Sequence, residues 1–138
     1  MGEVIVVWEE ELPYTPKQVW QVVTDLKRWQ WRSDLSECKV VDEQRFIETP
    51  KKGKPIRFCT TRLEKPRIWE FQMESPTLTG VWRGTFESKG KGGCHVTSVE
   101  TVKFRRRLFP RWVAKRFLVT YQARYFRDLR AELQSRYG

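Results

Sequence analysis

In Ile68-Trp69-Glu70-Phe71-Gln72-Met73-Glu74, apolar Trp69, Phe71 and Met73 alternate with polar Glu70, Gln72 and Glu74. A period of two belongs to a strand with one buried and one wet face. The neighbouring stretches repeat the pattern. Upstream, Ile56 to Glu64 reads as a strand with Phe58, Thr60 and Arg62 on one side, ended by Lys65-Pro66. Downstream, Ser75-Pro76-Thr77 is a turn, and Thr79 to Ser88 carries Trp82, Gly84 and Phe86 on one face. Lys89-Gly90-Lys91-Gly92-Gly93 is a hairpin connection. Cys94 to Phe104 follows, with Val96, Ser98, Glu100, Val102 and Phe104 sharing a side. Before the quoted stretch, Lys39–Asp42 and Arg45–Glu48 are two more short strands, and Pro50–Pro55 is a loop. Consecutive strands joined by short turns predict an antiparallel sheet with one face on a core.

The ends of the chain supply helices. Residues 4–12, rich in Val and Ile, are a first strand. Pro13-Tyr14-Thr15-Pro16 then reads as a helix start, with Thr15 as N-cap and Pro16 at the first helical position. A helix over 16–24 buries Val19, Trp20 and Val23, and Asp25–Trp31 reads as a second short helix or a tight segment. At the other end, Pro110 opens a helix running to about Arg136, ~40 Å long, enough to span a curved sheet. Pro110, Ala114, Phe117, Leu118, Tyr121, Tyr125 and Leu129 form its expected apolar stripe, with Arg116, Arg127 and Arg130 opposite.

The chain has 138 residues, a length that fits one domain over 1–138, and seven Trp, eight Phe and four Tyr argue against disorder. No apolar run approaches the ~20 residues of a membrane span. Val4–Trp8 lacks a basic flank and is too short for a secretory leader, so a cytoplasmic protein is expected. Cys38, Cys59 and Cys94 are widely spaced and odd in number, as free thiols are. His95 is the one histidine; its neighbour Cys94 points to the opposite strand face, which disfavours a Cys-His nucleophile and a zinc site alike. Gly90, Gly92 and Gly93 lack the Lys-Ser/Thr ending of a phosphate loop and open onto a strand. No metal or cofactor is expected.

Several of these segments resemble those of the START-like superfamily, which includes lipid-transfer domains, pollen-allergen-like proteins and polyketide cyclase/dehydrase-like proteins. Pro13–Trp20 resembles the superfamily's first-helix segment. Asp25-Leu26 with Trp29 and Trp31 resembles its aspartate-then-tryptophan segment. Lys65–Trp69 looks like its Pro-Arg-x-x-Trp turn, and Gly80–Phe86 with Gly92–Thr97 resembles its strands joined by a Gly-rich hairpin. The resemblance implies an α+β helix-grip fold, a curved antiparallel sheet wrapped around a long C-terminal helix, with two short helices after the first strand. It also implies an apolar cavity between sheet and helix. Phe58, Trp69, Phe71, Met73, Trp82, Phe86, Phe117, Tyr121 and Tyr125 would line it, with Gly80 and Gly84 leaving room beside the rings. The occupant would be a small hydrophobic molecule: a lipid, a quinone, a polyketide or another aromatic compound. The alternative is a cyclase/dehydratase-type enzyme with Glu100 and Tyr121 as catalytic candidates.

Two charges share parity with core residues, Glu100 with Val96 and Val102, and Arg62 with Phe58. A charge on the inner face must be paired, solvated or neutralised. One reading is a polar anchor in the cavity, an Arg62–Glu100 pair. The other is a strand end, or a bulge that shifts the parity.

The net charge of +10 is uneven. Residues 103–138 hold 11 of the 27 basic residues but only two acids, Asp128 and Glu132. Three readings stand for this segment. A solvated helix face is the plainest. An anionic membrane surface fits Arg105, Arg106, Arg107, Arg111, Trp112 and Arg116, which mix cations with Leu108 and Phe109. Nucleic acid is disfavoured, because no zinc-finger spacing or RNA-recognition motif is present.

Overall fold

A computed structural model describes residues 2–105 and 110–138. Strand β1 (Val4–Leu12) is followed by helix α1 (Pro16–Thr24). Six strands come next: β2 (Leu35–Val40), β3 (Arg45–Pro50), β4 (Ile56–Glu64), β5 (Ile68–Glu74), β6 (Leu78–Lys89) and β7 (Gly93–Phe104). Helix α2 (Arg111–Tyr137) ends the chain. The sheet is seven-stranded, in the order β1-β7-β6-β5-β4-β3-β2, and every neighbouring pair is antiparallel. The curved sheet and its long C-terminal helix make an α+β helix-grip fold.

Local chemistry sets the boundaries. At the start of α1 the Thr15 hydroxyl accepts from the Gln18 backbone N–H (3.1 Å), and the Gln18 side chain accepts from the Thr15 N–H (2.9 Å). This reciprocal pair satisfies two of the N–H groups that a helix start leaves open. Helix α1 stops at Asp25, and residues 25–34 form no second helix, contrary to the expectation from Asp25–Trp31. Isolated turns replace it, such as Arg28 N–H to Asp25 C=O and Arg32 N–H to Trp29 C=O. They let Trp29, Trp31 and Arg32 all turn towards the core, which a regular helix would not. Helix α2 begins one residue later than expected, with Pro110 as its N-cap. The β6–β7 hairpin needs Gly90 and Gly92 at positive φ, 54° and 79°, a conformation that costs other residues more.

The core lies between the concave face of the sheet and the two helices. Phe46, Phe58, Trp69, Met73, Trp82, Phe86 and Val96 from the sheet meet Val19, Trp20, Phe126, Leu129 and Leu133 from the helices. A smaller cluster of Val4, Val6, Val102, Ala114 and Leu118 fills the end where β1 and β7 meet the first half of α2. All three cysteines are free, with Cys38 and Cys94 buried. Among the described residues, no helix is long and apolar enough to cross a membrane.

Two expectations about the interior lining are corrected. Phe117 is 60% exposed, because the buried stripe of α2 runs through Ala114, Leu118, Gln122, Phe126, Leu129 and Leu133 instead. Arg62 is exposed as well. A register shift between Thr60 and Arg62 turns it to the outer face, where it pairs with Glu64 and cannot reach Glu100.

Candidate functional site

The polar groups inside the grip fall into two connected sets. The first centres on Arg32, 8% exposed, at the end of the turn segment. Its Nε and Nη2 donate to the two carboxylate oxygens of Asp34 at 3.0 and 2.9 Å, a bidentate fork. Nη1 and Nη2 reach the Glu48 carboxylate at 3.3 and 3.4 Å, and Nη2 donates to the Tyr121 hydroxyl at 2.9 Å. The guanidinium also lies over the Tyr125 ring, 4.9 Å from its centre, within cation–π range. Glu48 is buried on β3, on the same side as Phe46.

The second set runs across β6, β7 and α2. The Trp82 indole N–H donates to the Ser98 hydroxyl at 2.7 Å. Ser98 donates to Gln122 Oε1 at 3.1 Å, and Gln122 Nε2 donates to the Glu100 carboxylate at 3.1 Å. All four residues are buried.

Electrostatics separates the carboxyl groups. Burial raises the Glu100 pKa above its ordinary value; the Gln122 hydrogen bond opposes the rise and the nearby Glu48 charge adds to it. Burial also works upward on Asp34, but the hydrogen bonds and charge of Arg32 outweigh it and hold that carboxyl low. Burial works downward on Arg32, and the Glu48, Tyr121 and Asp34 partners more than restore it, so it stays charged. Burial pushes the Tyr121 phenol well above its ordinary value despite the pull of Arg32. The interior thus holds a fixed cation, a fixed anion on Asp34, a neutral phenol and a carboxyl that keeps its proton unusually long.

Of the residues expected to line the site, Phe58, Trp69, Met73, Trp82, Phe86 and Glu100 are buried on the inner face, and Phe71, Tyr121 and Tyr125 are half-buried. They pack ring on ring. Phe46 stacks on Phe58 at 4.7 Å, Phe71 on Trp82 at 4.8 Å, and Trp31 meets Tyr125 edge-on at 5.5 Å. The room expected beside Gly84 is filled by the Trp82 ring, since a Cβ on Gly84 would come within 2.2 Å of it. A void of about 10 Å³ lies beside Arg32, Glu48, Trp29 and Trp31, room for one water. Around Arg32, the space expected to be open between sheet and helix is taken up by the aromatic lining itself. A depression of about 680 Å³ opens on the sheet, but much of its lining comes from positions that alternate with the core residues, such as Ile47, Cys59, Gln72 and Val81. The buried titratable groups lie on the other side, facing α2.

The sequence reading missed Arg32, Asp34, Glu48 and Gln122. Glu48 carried a usable signal: it stands two residues from Phe46, the same parity argument that placed Glu100 inside. Arg32 carried none, because it sits in irregular chain. Of the basic residues singled out, Arg111, Trp112 and Arg116 are exposed on α2. Arg105 is tied down, donating to the Ser75 carbonyl (2.9 Å) and the Glu74 carboxylate (3.0 Å). Arg106 and Arg107 lie outside the described residues.

Over residues 4–138 the sequence matches the family described as polyketide cyclase / dehydrase and lipid transport. No curated protein matches it significantly. Among solved structures, a START superfamily protein from Mycobacterium smegmatis superposes with a TM-score of 0.84 at 10% identity, covering 95% of this chain and 97% of the other. A conserved protein from Geobacillus kaustophilus gives 0.86 at 10% identity, covering 96% of each chain. A protein from Mesorhizobium loti gives 0.76 at 17% identity, covering 97% and 98%. At these identities the likeness is one of fold.

Proposed function

The chain belongs to the polyketide cyclase / dehydrase and lipid transport family, and we propose that it binds a small hydrophobic molecule with one polar end between its sheet and α2. The aromatic rings would surround the apolar body, while Arg32, Tyr121 and Glu100 would meet the polar end. The observation that carries this reading is the buried charge of Arg32 among rings. Buried ion pairs are weak contributors to stability, and an apolar side chain of similar volume often serves a core as well or better. An apolar interior with a few converging polar groups is instead the composition of a ligand site. Entry would require rings to part and the irregular stretch 25–34, which carries Trp29, Trp31 and Arg32, to release its Ser33–Asp128 hydrogen bonds to α2.

Tryptophan emission should report binding directly, because Trp31, Trp69 and Trp82 all stand in the lining. Titration with a fatty acid, a quinone and an aromatic polyketide should give a saturable change with at least one. Tyr121→Phe should weaken that binding about tenfold, the worth of one hydrogen bond made within a charged group. No saturable change with any compound, or Tyr121→Phe binding as tightly as the parent, would overturn the reading.

The raised pKa of Glu100 favours a second reading, a cyclase/dehydratase. A carboxyl that keeps its proton inside an apolar interior can donate it to a carbonyl oxygen. On that reading a poly-β-ketone substrate turns over, and Glu100→Gln abolishes turnover while sparing binding. Reversible, stoichiometric uptake without turnover leaves the binding reading alone.

A further inference from the structure

We infer that the first half of α2 is a docking surface for an anionic lipid bilayer. The inference is independent of the interior site and rests on three features of the exposed side of the helix. The first is exposed apolar area. Trp112 is 67% exposed, Phe117 60% and Val119 37%. Trp112, Arg116 and Val119 follow the i, i+4, i+7 spacing of one helix face, about 10 Å long at 1.5 Å per residue, and Phe117 stands about 140° round from Trp112, at the other edge of the exposed side. An indole and a valine exposed on one face, with a phenyl ring at the edge of the same exposed side, are more apolar area than a solvated helix face needs.

The second feature is charge. Arg111, Lys115, Arg116 and Arg124 are exposed around these groups. Among the described residues, Lys115, Arg116 and Arg124 form no ion pair. Residues 101–127 hold nine Lys and Arg and not one Asp or Glu. This half of the helix therefore presents cations with no acid of its own; the exposed Glu3 lies beside Arg111, whose Nη2 donates to the Glu3 carbonyl, so Lys115, Arg116 and Arg124 are the cations left for an anionic headgroup layer.

The third feature is presentation. The opposite side of this half-helix, Ala114 and Leu118, is locked onto Val4, Val6 and Val102. The aromatic groups are thus held outward on a packed element. Cations alone would suit a nucleic acid equally well. An indole and a phenyl ring can also stack on unpaired bases; Val119 has no such use, and the three together fit the boundary between headgroups and acyl chains.

Vesicle flotation tests the inference. The full chain should float with phosphatidylserine-containing vesicles, fail to float with phosphatidylcholine alone, and lose binding as salt rises. Lys115→Glu with Arg116→Glu should reduce binding about tenfold or more, since each cation near such a surface contributes ~1 kcal/mol. Trp112→Ser with Phe117→Ser should reduce it severalfold at unchanged charge. All four side chains are exposed, so the thermal midpoint of each variant should match the parent, and ligand titration of the interior should be unaltered. Equal binding to both vesicle types overturns the inference. So does full binding by either double variant. Release of the protein from vesicles by single-stranded RNA, with the Trp112/Phe117 variant bound as well as the parent, assigns the patch to nucleic acid instead.

Discussion

Glu100 shows how far one residue can be read from a sequence. Its inner-face position follows from its parity with Val96 and Val102, and β7 keeps that parity without a bulge along its length. Arg62 followed the same logic and failed, because one extra residue in β4 reverses every position beyond Thr60. A bulge leaves little trace in a pattern of side-chain types. The Glu100 environment has a measurable consequence. A carboxyl whose pKa rises on folding contributes nothing below its ordinary value near 4.5, where folded and unfolded chains both hold the proton. As pH rises past that value, the unfolded chain releases its proton first, and the folded state loses stability until the raised pKa is passed. Glu100→Gln removes this loss and still offers an oxygen to Gln122. Its thermal midpoint should exceed that of the parent at neutral pH, with the advantage shrinking towards pH ~4. A difference that stays constant over that range would show that Glu100 does not titrate with a raised pKa.

At the scale of the element, α2 is informative for where its stripe falls. The expected stripe was centred near Tyr121, whereas the buried one is turned by about 60° towards Gln122 and Phe126. Hydrophobicity could not find this, because the central buried position is a glutamine whose partners, Ser98 and Glu100, lie on β7. Tyr121 and Tyr125 occupy the flank beside Arg32, and Phe117 passes to solvent. Paired substitutions separate the two stripes. Leu129→Ala, at a fully buried position, should cost about 2–5 kcal/mol of unfolding free energy. Phe117→Ala should stay within about 0.5 kcal/mol of the parent in the same denaturant titration. Comparable losses at both positions would place Phe117 back in the core.

For the molecule as a whole, the meander from β3 to β7 was legible because each of its turns carried Pro or Gly and its strands largely alternated, whereas β2, expected at 39–42, lies at Leu35–Val40, does not alternate in burial and reaches β3 through a turn with neither residue. The segment 25–34 was not legible, since it satisfies its backbone by scattered turns and its side chains by tertiary contacts. The filling of the space around Arg32 was not legible either: whether rings leave a cavity or fill it depends on rotamers that a sequence does not specify. The division of the core into a large cluster and a smaller one at the β1/β7/α2 end predicts uneven local stability. In native-state hydrogen exchange, the amides of Val4–Val6 and Thr101–Lys103 should open at lower free energy than those of Val96–Ser98. Uniform protection along β7 would contradict this.

The pairing of the first strand with the last also bears on how the chain is made. Val4 is registered with Val102 and Leu12 with Cys94. On a ribosome adding about 5–20 residues per second, β1 waits roughly 5–20 s for its partner to appear. During that interval Val4 and Val6 have no sheet to join, while β2 to β6 can already zip together hairpin by hairpin. The contacts that complete the sheet are among its longest-range ones, and closing that loop is the slow, entropy-limited step expected of such a topology. Until then the emerging chain exposes a Val- and Ile-rich strand, and the three consecutive glutamates Glu9-Glu10-Glu11 in its second half give the nascent segment the charge that discourages strand-to-strand association with other chains.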